Sequence, residues 1–212
     1  MDETEARDAV LAALLPDVPF DGWTEAALAA AAARAGIEAG ERARLFPRGP
    51  RDAVRWFSHW ADRMMLETMA ARPIDALSLT ECIALALRTR LALLLPHREA
   101  VRRGLSFLAL PGHAALGLKL LYDTVDAAWY AAGDAATDFS FYTKRAMLAG
   151  IYAATTFYWL DDRSEDCAET AAFLERRLRD AMVLPRARRE LRRLADALPN
   201  PLRLLRTVRP RY

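Results

Sequence analysis

Between Arg145 and Asp161 the chain runs for 15 residues without a charge, inside the stretch DFSFYTKRAMLAGIYAATTFYWLD from Asp138 to Asp161. That run is too short to cross a bilayer, which takes about 20 apolar residues. It is long enough for a helix buried on every side. Asp138 is the candidate N-cap, its carboxylate placed to accept from the first free backbone N–H groups. The Asp161-Asp162 pair marks the expected exit to water. Side chains within the stretch divide by size. Phe141, Leu148, Tyr152 and Trp159 fall near one stripe, and Ala146, Ala149, Gly150, Ala153 and Ala154 thin out the other side. Such a helix packs as plain core, accepts a second helix at close range, or leaves room for a slender apolar guest. Periodicity alone does not separate these three.

The rest of the chain also reads as helix. It is rich in Ala, Leu and Arg, poor in Val and Ile, and holds no sustained strand alternation. The expectation is an all-α bundle of about nine or ten helices. Net charge is +2, but nine Arg against Glu190 and Asp196 give residues 185–212 a net +7, leaving −5 on the remainder. An acidic body with a basic tail points the tail at an anionic surface. Cys82 and Cys167 lie far apart and are expected as free buried thiols of a reduced compartment. The acidic first residues predict no export leader and a cytoplasmic location.

A first helix reaches about Leu14 and stops at Pro16. Thr24 is the expected N-cap of a helix over Glu25 to Arg34, which Gly36 closes. A short third helix follows from about Glu38 to Leu45, then Phe46-Pro47 turns the chain. The pattern DGWTEAAL…LFPRGP resembles the helix-turn-helix head of TetR regulators. The third helix would be the DNA reader. It carries Glu38 and Glu41, which repel phosphate, and lacks the Asn or Gln that pair with adenine edges. The head is therefore read as degenerate, with no nucleic-acid partner.

Arg51 to Met69 is amphipathic, with Val54, Phe57, Trp60, Ala61 and Met64 as its expected inward stripe. Further helices are expected over Leu77 to Leu95, Arg98 to Leu110, Ala114 to Ala132 and Ser164 to about Met182. The last should bury Phe173, Leu174 and Leu178.

Catalytic signatures are not apparent. His59, His97 and His113 never fall at i, i+3 or i, i+4, and the two cysteines make no zinc motif. No phosphate-binding glycine loop or nucleophile elbow is present. No cofactor is expected, and a binding or presenting protein fits better than an enzyme.

The segments WYAAGD from Trp129, TDFSFYTKRAML from Thr137 and YWLDDRSED from Tyr158 carry a further resemblance. They resemble the lipid-presenting accessory family of coenzyme Q (ubiquinone) biosynthesis, number nine in that series. Its members look like TetR regulators turned into lipid-binding proteins, and the resemblance covers roughly residues 5–185. It implies a TetR-like bundle with a head over residues 1–70, a lipid-binding and dimerising body over 71–184, and a membrane-associating tail over 185–212. It implies an accessory protein that presents an isoprenoid quinone precursor to a pathway hydroxylase at the inner membrane. The alternative is a TetR-like DNA-binding regulator with a small-molecule pocket. A lipid-modifying enzyme is a third reading.

Candidate lipid-binding residues are Leu91, Leu94, Leu108, Leu116, Leu120, Met147, Leu148, Ile151 and Tyr152, each equally consistent with ordinary core. The family's hydroxylase-docking patch falls on Asp126, Trp129, Asp138, Phe141, Tyr142 and Arg145, expected on the exterior. The family often has Trp where this chain has Phe141, which keeps an aromatic ring without the indole N–H. In the tail, Arg189, Arg192, Arg193, Leu194, Leu198, Leu202, Arg203, Leu205 and Arg206 form basic amphipathic segments. Segments of this kind lie in the plane of an anionic membrane.

Overall fold

A computed structural model describes residues 1–74, 76–133 and 140–181, with backbone alone at 140–142. Among the described residues there is no strand. The helices are α1 (Glu3–Leu14), α2 (Val18–Asp21), α3 (Glu25–Arg34), α4 (Ala39–Leu45) and α5 (Pro50–Ala70). They continue with α6 (Leu79–Leu94), α7 (Arg98–Leu108), α8 (Ala114–Ala131), α9 (Ser140–Asp161) and α10 over 168–181. The tail lies outside the described residues, as does Asp138.

Local chemistry sets the starts and stops. Asp2 and Glu5 close a reciprocal capping box on α1, and Ser78 and Glu81 close another on α6. Thr24 accepts from the Ala27 N–H at 3.2 Å, as its position predicts. Gly36, at φ +73°, takes the left-handed turn after α3. Pro50 opens α5, where its missing N–H costs nothing.

The head packs α1 against α3 and α4 around Val10, Leu14, Leu28 and Ala31. α5 leaves the head and runs along α6 and α8. Asp8 of α1 ties the two parts together, accepting from Trp56 Nε1 at 2.7 Å and from Arg63. Trp23 Nε1 donates to the Ala100 carbonyl at 3.1 Å and joins the head to α7. Along α5 the buried stripe is Val54, Phe57, Ala61, Met65 and Met69; Trp60 and Met64 are half-buried. The expected stripe drifted by one position because a straight helix turns 3.6 residues, not 3.5.

α9 departs from the all-round burial expected of it. Leu148, Tyr152, Thr155 and Trp159 are buried, but Ala146, Gly150, Ala154 and Phe157 face out. A Cβ added to Gly150 has no heavy atom within 4 Å. Gly150 therefore meets no neighbouring helix among the described residues. Among the described residues, no helix is long and apolar enough to cross a membrane.

The exit from α9 also differs. Asp161 is exposed, but Asp162 is buried and organises the turn into α10. It accepts from the backbone N–H of Ser164 and of Thr170, both at 2.8 Å, and from both hydroxyls. Ser164, expected to cap the last helix, does accept from Glu169 N at 3.1 Å. Leu174 and Leu178 turn inward as expected, while Phe173 is half-buried and stacks on Tyr158 at 4.8 Å. Cys82 and Cys167 are free, the first buried and the second only half-buried, 3.0 Å from Arg98 Nη2.

Burial opposes the Asp162 charge, but the four donors outweigh it and hold the carboxyl well below the usual carboxylate range. A lowered folded pKa makes the stabilisation complete above about pH 4 and lost as pH falls through the folded value. Asp162→Asn is expected to lower stability by about 1–3 kcal/mol at neutral pH. Its deficit relative to wild type should shrink in acid, checked by denaturant melts at pH 7 and pH 3.

Candidate functional site

α5, α6, α7, α8 and α9 leave an apolar cavity of about 480 Å³ between them. Two helical glycines help to shape it. Gly104 comes close to the Trp23 indole, where a Cβ would sit 3.5 Å from Nε1. A Cβ on Gly117 would lie 3.4 Å from that of Leu108, so α7 and α8 approach closely there. Walls come from Val54, Phe57, Leu94, Leu105, Leu108 and Leu120, with Ala153 and Phe157 from α9. Leu118 and Phe157, 70% and 62% exposed, stand at the mouth. A volume of this size and such a lining fall within the range of small-ligand sites.

Its inner end is polar. Arg90, on the buried face of α6 with Leu87 and Leu94, is buried and donates Nε to Asp62 Oδ1 at 2.7 Å. Its Nη1 donates to the Tyr152 hydroxyl at 2.7 Å, and its Nη2 to the carbonyl and hydroxyl of Ser58. Thr124 donates to Asp62 Oδ1 at 3.0 Å. Burial opposes the Arg90 charge, yet Tyr152 and Asp62 hold the guanidinium above its ordinary value.

The structure brings together four of the nine candidate lipid residues: Leu94, Leu108, Leu120 and Tyr152 line this cavity. Leu91 turns instead to a separate cleft of about 350 Å³ beside Trp159 and Cys167. Leu116 and Leu148 are core, Ile151 packs against the core, and Met147 is half-buried. Sequence reading missed the contribution of α5, that of α7 beyond Leu108, and the Arg90–Asp62 pair. The available signal was a charge at position 90 on the same helical face as Leu87 and Leu94, where apolar neighbours shield a cation only with a partner.

The residues expected to form a docking patch are less exterior than expected. Trp129 is 7% exposed and Arg145 is 5% exposed. Arg145 Nε donates to the exposed Asp126 at 2.7 Å, and the Lys144 and Arg145 cations sit about 6 Å from the Trp129 ring. An aromatic ring held by two cations packs inward because their aliphatic stems cover it. Asp138 and the side chains of Phe141 and Tyr142 lie outside the described residues, and so do the nine tail candidates.

The histidines stay apart. His59 lies 3.8 Å from Asp123, His97 packs edge-on to Phe57 and Trp60, and His113 stacks on Phe107. Among the described residues no three His, Cys, Asp or Glu side chains converge as metal ligands.

The COQ9 family model matches residues 114–185. The human protein named "Ubiquinone biosynthesis protein COQ9, mitochondrial" is 32% identical over 202 residues, covering 92% of this chain and 64% of the human one. Xenopus laevis "Ubiquinone biosynthesis protein COQ9-B, mitochondrial" is 30% identical over 203 residues, covering 92% of this chain and 69% of that protein. The chain thus spans about two thirds of the length of these relatives. In fold it is similar to a TetR transcriptional regulator from Nitrosomonas europaea, with a TM-score of 0.68. That likeness covers 83% of this chain and 97% of the regulator at 24% identity.

Proposed function

The chain belongs to the COQ9 family of ubiquinone biosynthesis proteins, and from that premise we propose that it binds an isoprenoid quinone precursor and presents it to a pathway hydroxylase. In this reading it is an accessory protein without chemistry of its own, seated on the inner membrane. The observation that carries the reading is the cavity: apolar walls, a volume of about 480 Å³ and a mouth edged by exposed Leu118 and Phe157. Each methylene of a prenyl chain drawn from water into such walls contributes ~0.8 kcal/mol. Partial burial of the chain is therefore enough for retention.

The hydroxylase docks on the patch around Asp126, Trp129, Asp138, Phe141, Tyr142 and Arg145. Arg145 and Trp129 act there by holding the start of α9 in place, and Asp126 offers the accessible charge. The arginine-rich tail over 185–212 supplies the membrane foothold, each arginine adding on the order of 1 kcal/mol near an anionic surface. The outward face of α8, with exposed Tyr122, forms the homodimer contact of a body over 71–184.

The regulator reading has the fold in its favour and α4 against it. Ala39, Gly40, Glu41, Ala43 and Arg44 form its exposed face, and Arg42 is drawn into an ion pair with Glu25. A face of small side chains with one carboxylate against one guanidinium has no net charge for phosphate and no Asn or Gln for adenine edges.

Organic extraction of the purified protein followed by mass spectrometry tests the proposal. Near-stoichiometric prenylated quinone precursor is expected. A protein free of lipid that instead retains one DNA sequence at physiological salt would make it a regulator.

A further inference from the structure

We infer that the cavity receives a neutral, hydrogen-bond-accepting oxygen of an amphiphile at its inner end, with the apolar chain leading out between Leu118 and Phe157. The inference rests on the reading of the cavity as a lipid site, and adds the ligand's orientation and the chemistry of its innermost group. Four helices bring polar side chains to one end of an otherwise apolar space: Ser58, Arg90, Thr124 and Tyr152. Exposure sets that end apart from the mouth, and it forms the floor together with the equally buried Val54, Leu94 and Leu120. Arg90, Thr124 and Tyr152 are 6%, 1% and 5% exposed, against 70% and 62% for Leu118 and Phe157 on the same lining.

The protons of the network do not balance internally. Asp62 Oδ1 takes one from Arg90 Nε and one from Thr124. Arg90 then serves the Tyr152 hydroxyl oxygen and both oxygens of Ser58. Three donors remain without an acceptor among the described residues: the Tyr152 O–H, the Ser58 O–H and the second proton on Arg90 Nη1. Those on Arg90 and Tyr152 are buried and Ser58 is half-buried, and buried donors left unmade are costly. Thr156, the remaining hydroxyl of the lining, accepts from none of them among the described residues and bonds instead to the Tyr152 carbonyl. An oxygen with two lone pairs entering the floor meets this surplus.

Charge selects the class of oxygen. Arg90 and Asp62 already neutralise each other, so a carboxylate would add a buried charge with no counter-ion. A carbonyl or quinone oxygen adds none. A head group seated on this floor is held out of an enzyme's reach, and comes within it only by sliding out past Leu118 and Phe157.

The test is titration calorimetry of the full chain, stripped of lipid, with three probes that share a ten-carbon chain: decyl-benzoquinone, decylbenzene and decanoate. The quinone is expected to bind about tenfold or more tighter than decylbenzene, the span of one to two neutral hydrogen bonds. Tyr152→Phe is expected to bring the two within roughly threefold while leaving decylbenzene unchanged. Ser58→Ala, which removes a different donor, should narrow the same gap and serves where Tyr152→Phe folds poorly. Equal binding of quinone and decylbenzene by the wild type overturns the orientation and leaves the lipid site standing. Loss of affinity for both probes in both variants does the same. Tighter binding of decanoate than of the quinone overturns the neutral-oxygen assignment. Binding of no probe at all overturns the lipid site and this inference with it.

Discussion

Replacing Arg90 by methionine is expected to destabilise the protein by about 3–5 kcal/mol, a drop in Tm of roughly 10 °C or more. Methionine keeps much of the apolar stem, so lost volume is not the cause. The cause is Asp62, left 8% exposed with a negative charge and, among the described residues, hydrogen-bonded only to the Thr124 hydroxyl. Breaking one side of a buried pair costs far more than the pair contributes, because the remaining ion keeps its desolvation penalty. The Tyr152 hydroxyl and Ser58 lose their donor at the same time. The double variant Arg90→Met with Asp62→Leu removes both charges and should recover most of the loss, a coupling that a double-mutant cycle measures. A loss under about 1 kcal/mol in the single variant would mean that water reaches Asp62 and that the floor of the cavity is not dry.

Ala153→Trp is expected to cut co-purifying lipid by about tenfold or more, with stability within about 1 kcal/mol of wild type. Ala153 is half-buried on the cavity wall, one position from Tyr152, so an indole there fills space that a ligand would use. In a packed core the same change would cost about 1–3 kcal/mol through displaced neighbours. The cavity removes that penalty, and this separates a site from ordinary core. Gly150→Leu is the control. It lies nearly one turn away on the outward face, where an added Cβ meets nothing, and lipid content should not change. Wild-type lipid levels in Ala153→Trp would place the ligand elsewhere, with the cleft beside Leu91 and Trp159 the next candidate.

The candidate site was partly legible in sequence. Leu94, Leu108, Leu120 and Tyr152 were identified because apolar residues at helical spacing on late helices are few enough to enumerate. Leu91 and Leu148 share that signature and lie off the cavity, since one helix face looks the same whether it meets a void or a neighbour. Val54 and Phe57 of α5 were read as core, and they are both core and wall. Trp129 and Arg145 were placed outside because they match the docking patch of the resembled family, but aromatic and cationic side chains pack against each other under cover as readily as they face a partner.

The element boundaries and the class of the fold follow from the sequence by itself. Asp2, Thr24, Ser78 and Gly36 act through hydrogen bonds and backbone angles within one turn of themselves, so their effect does not wait for tertiary structure. The family pattern after Trp129 is likewise local. Tertiary structure decided what is non-local. It turned Gly150 outward and Ala153 inward on the same helix, drew Asp162 under cover beside an exposed Asp161, and matched Arg90 with Asp62 across 28 positions. A helix specifies the direction of each side chain relative to its own axis. Only the packing of five helices around a shared space determines which of those directions meets core, cavity or water.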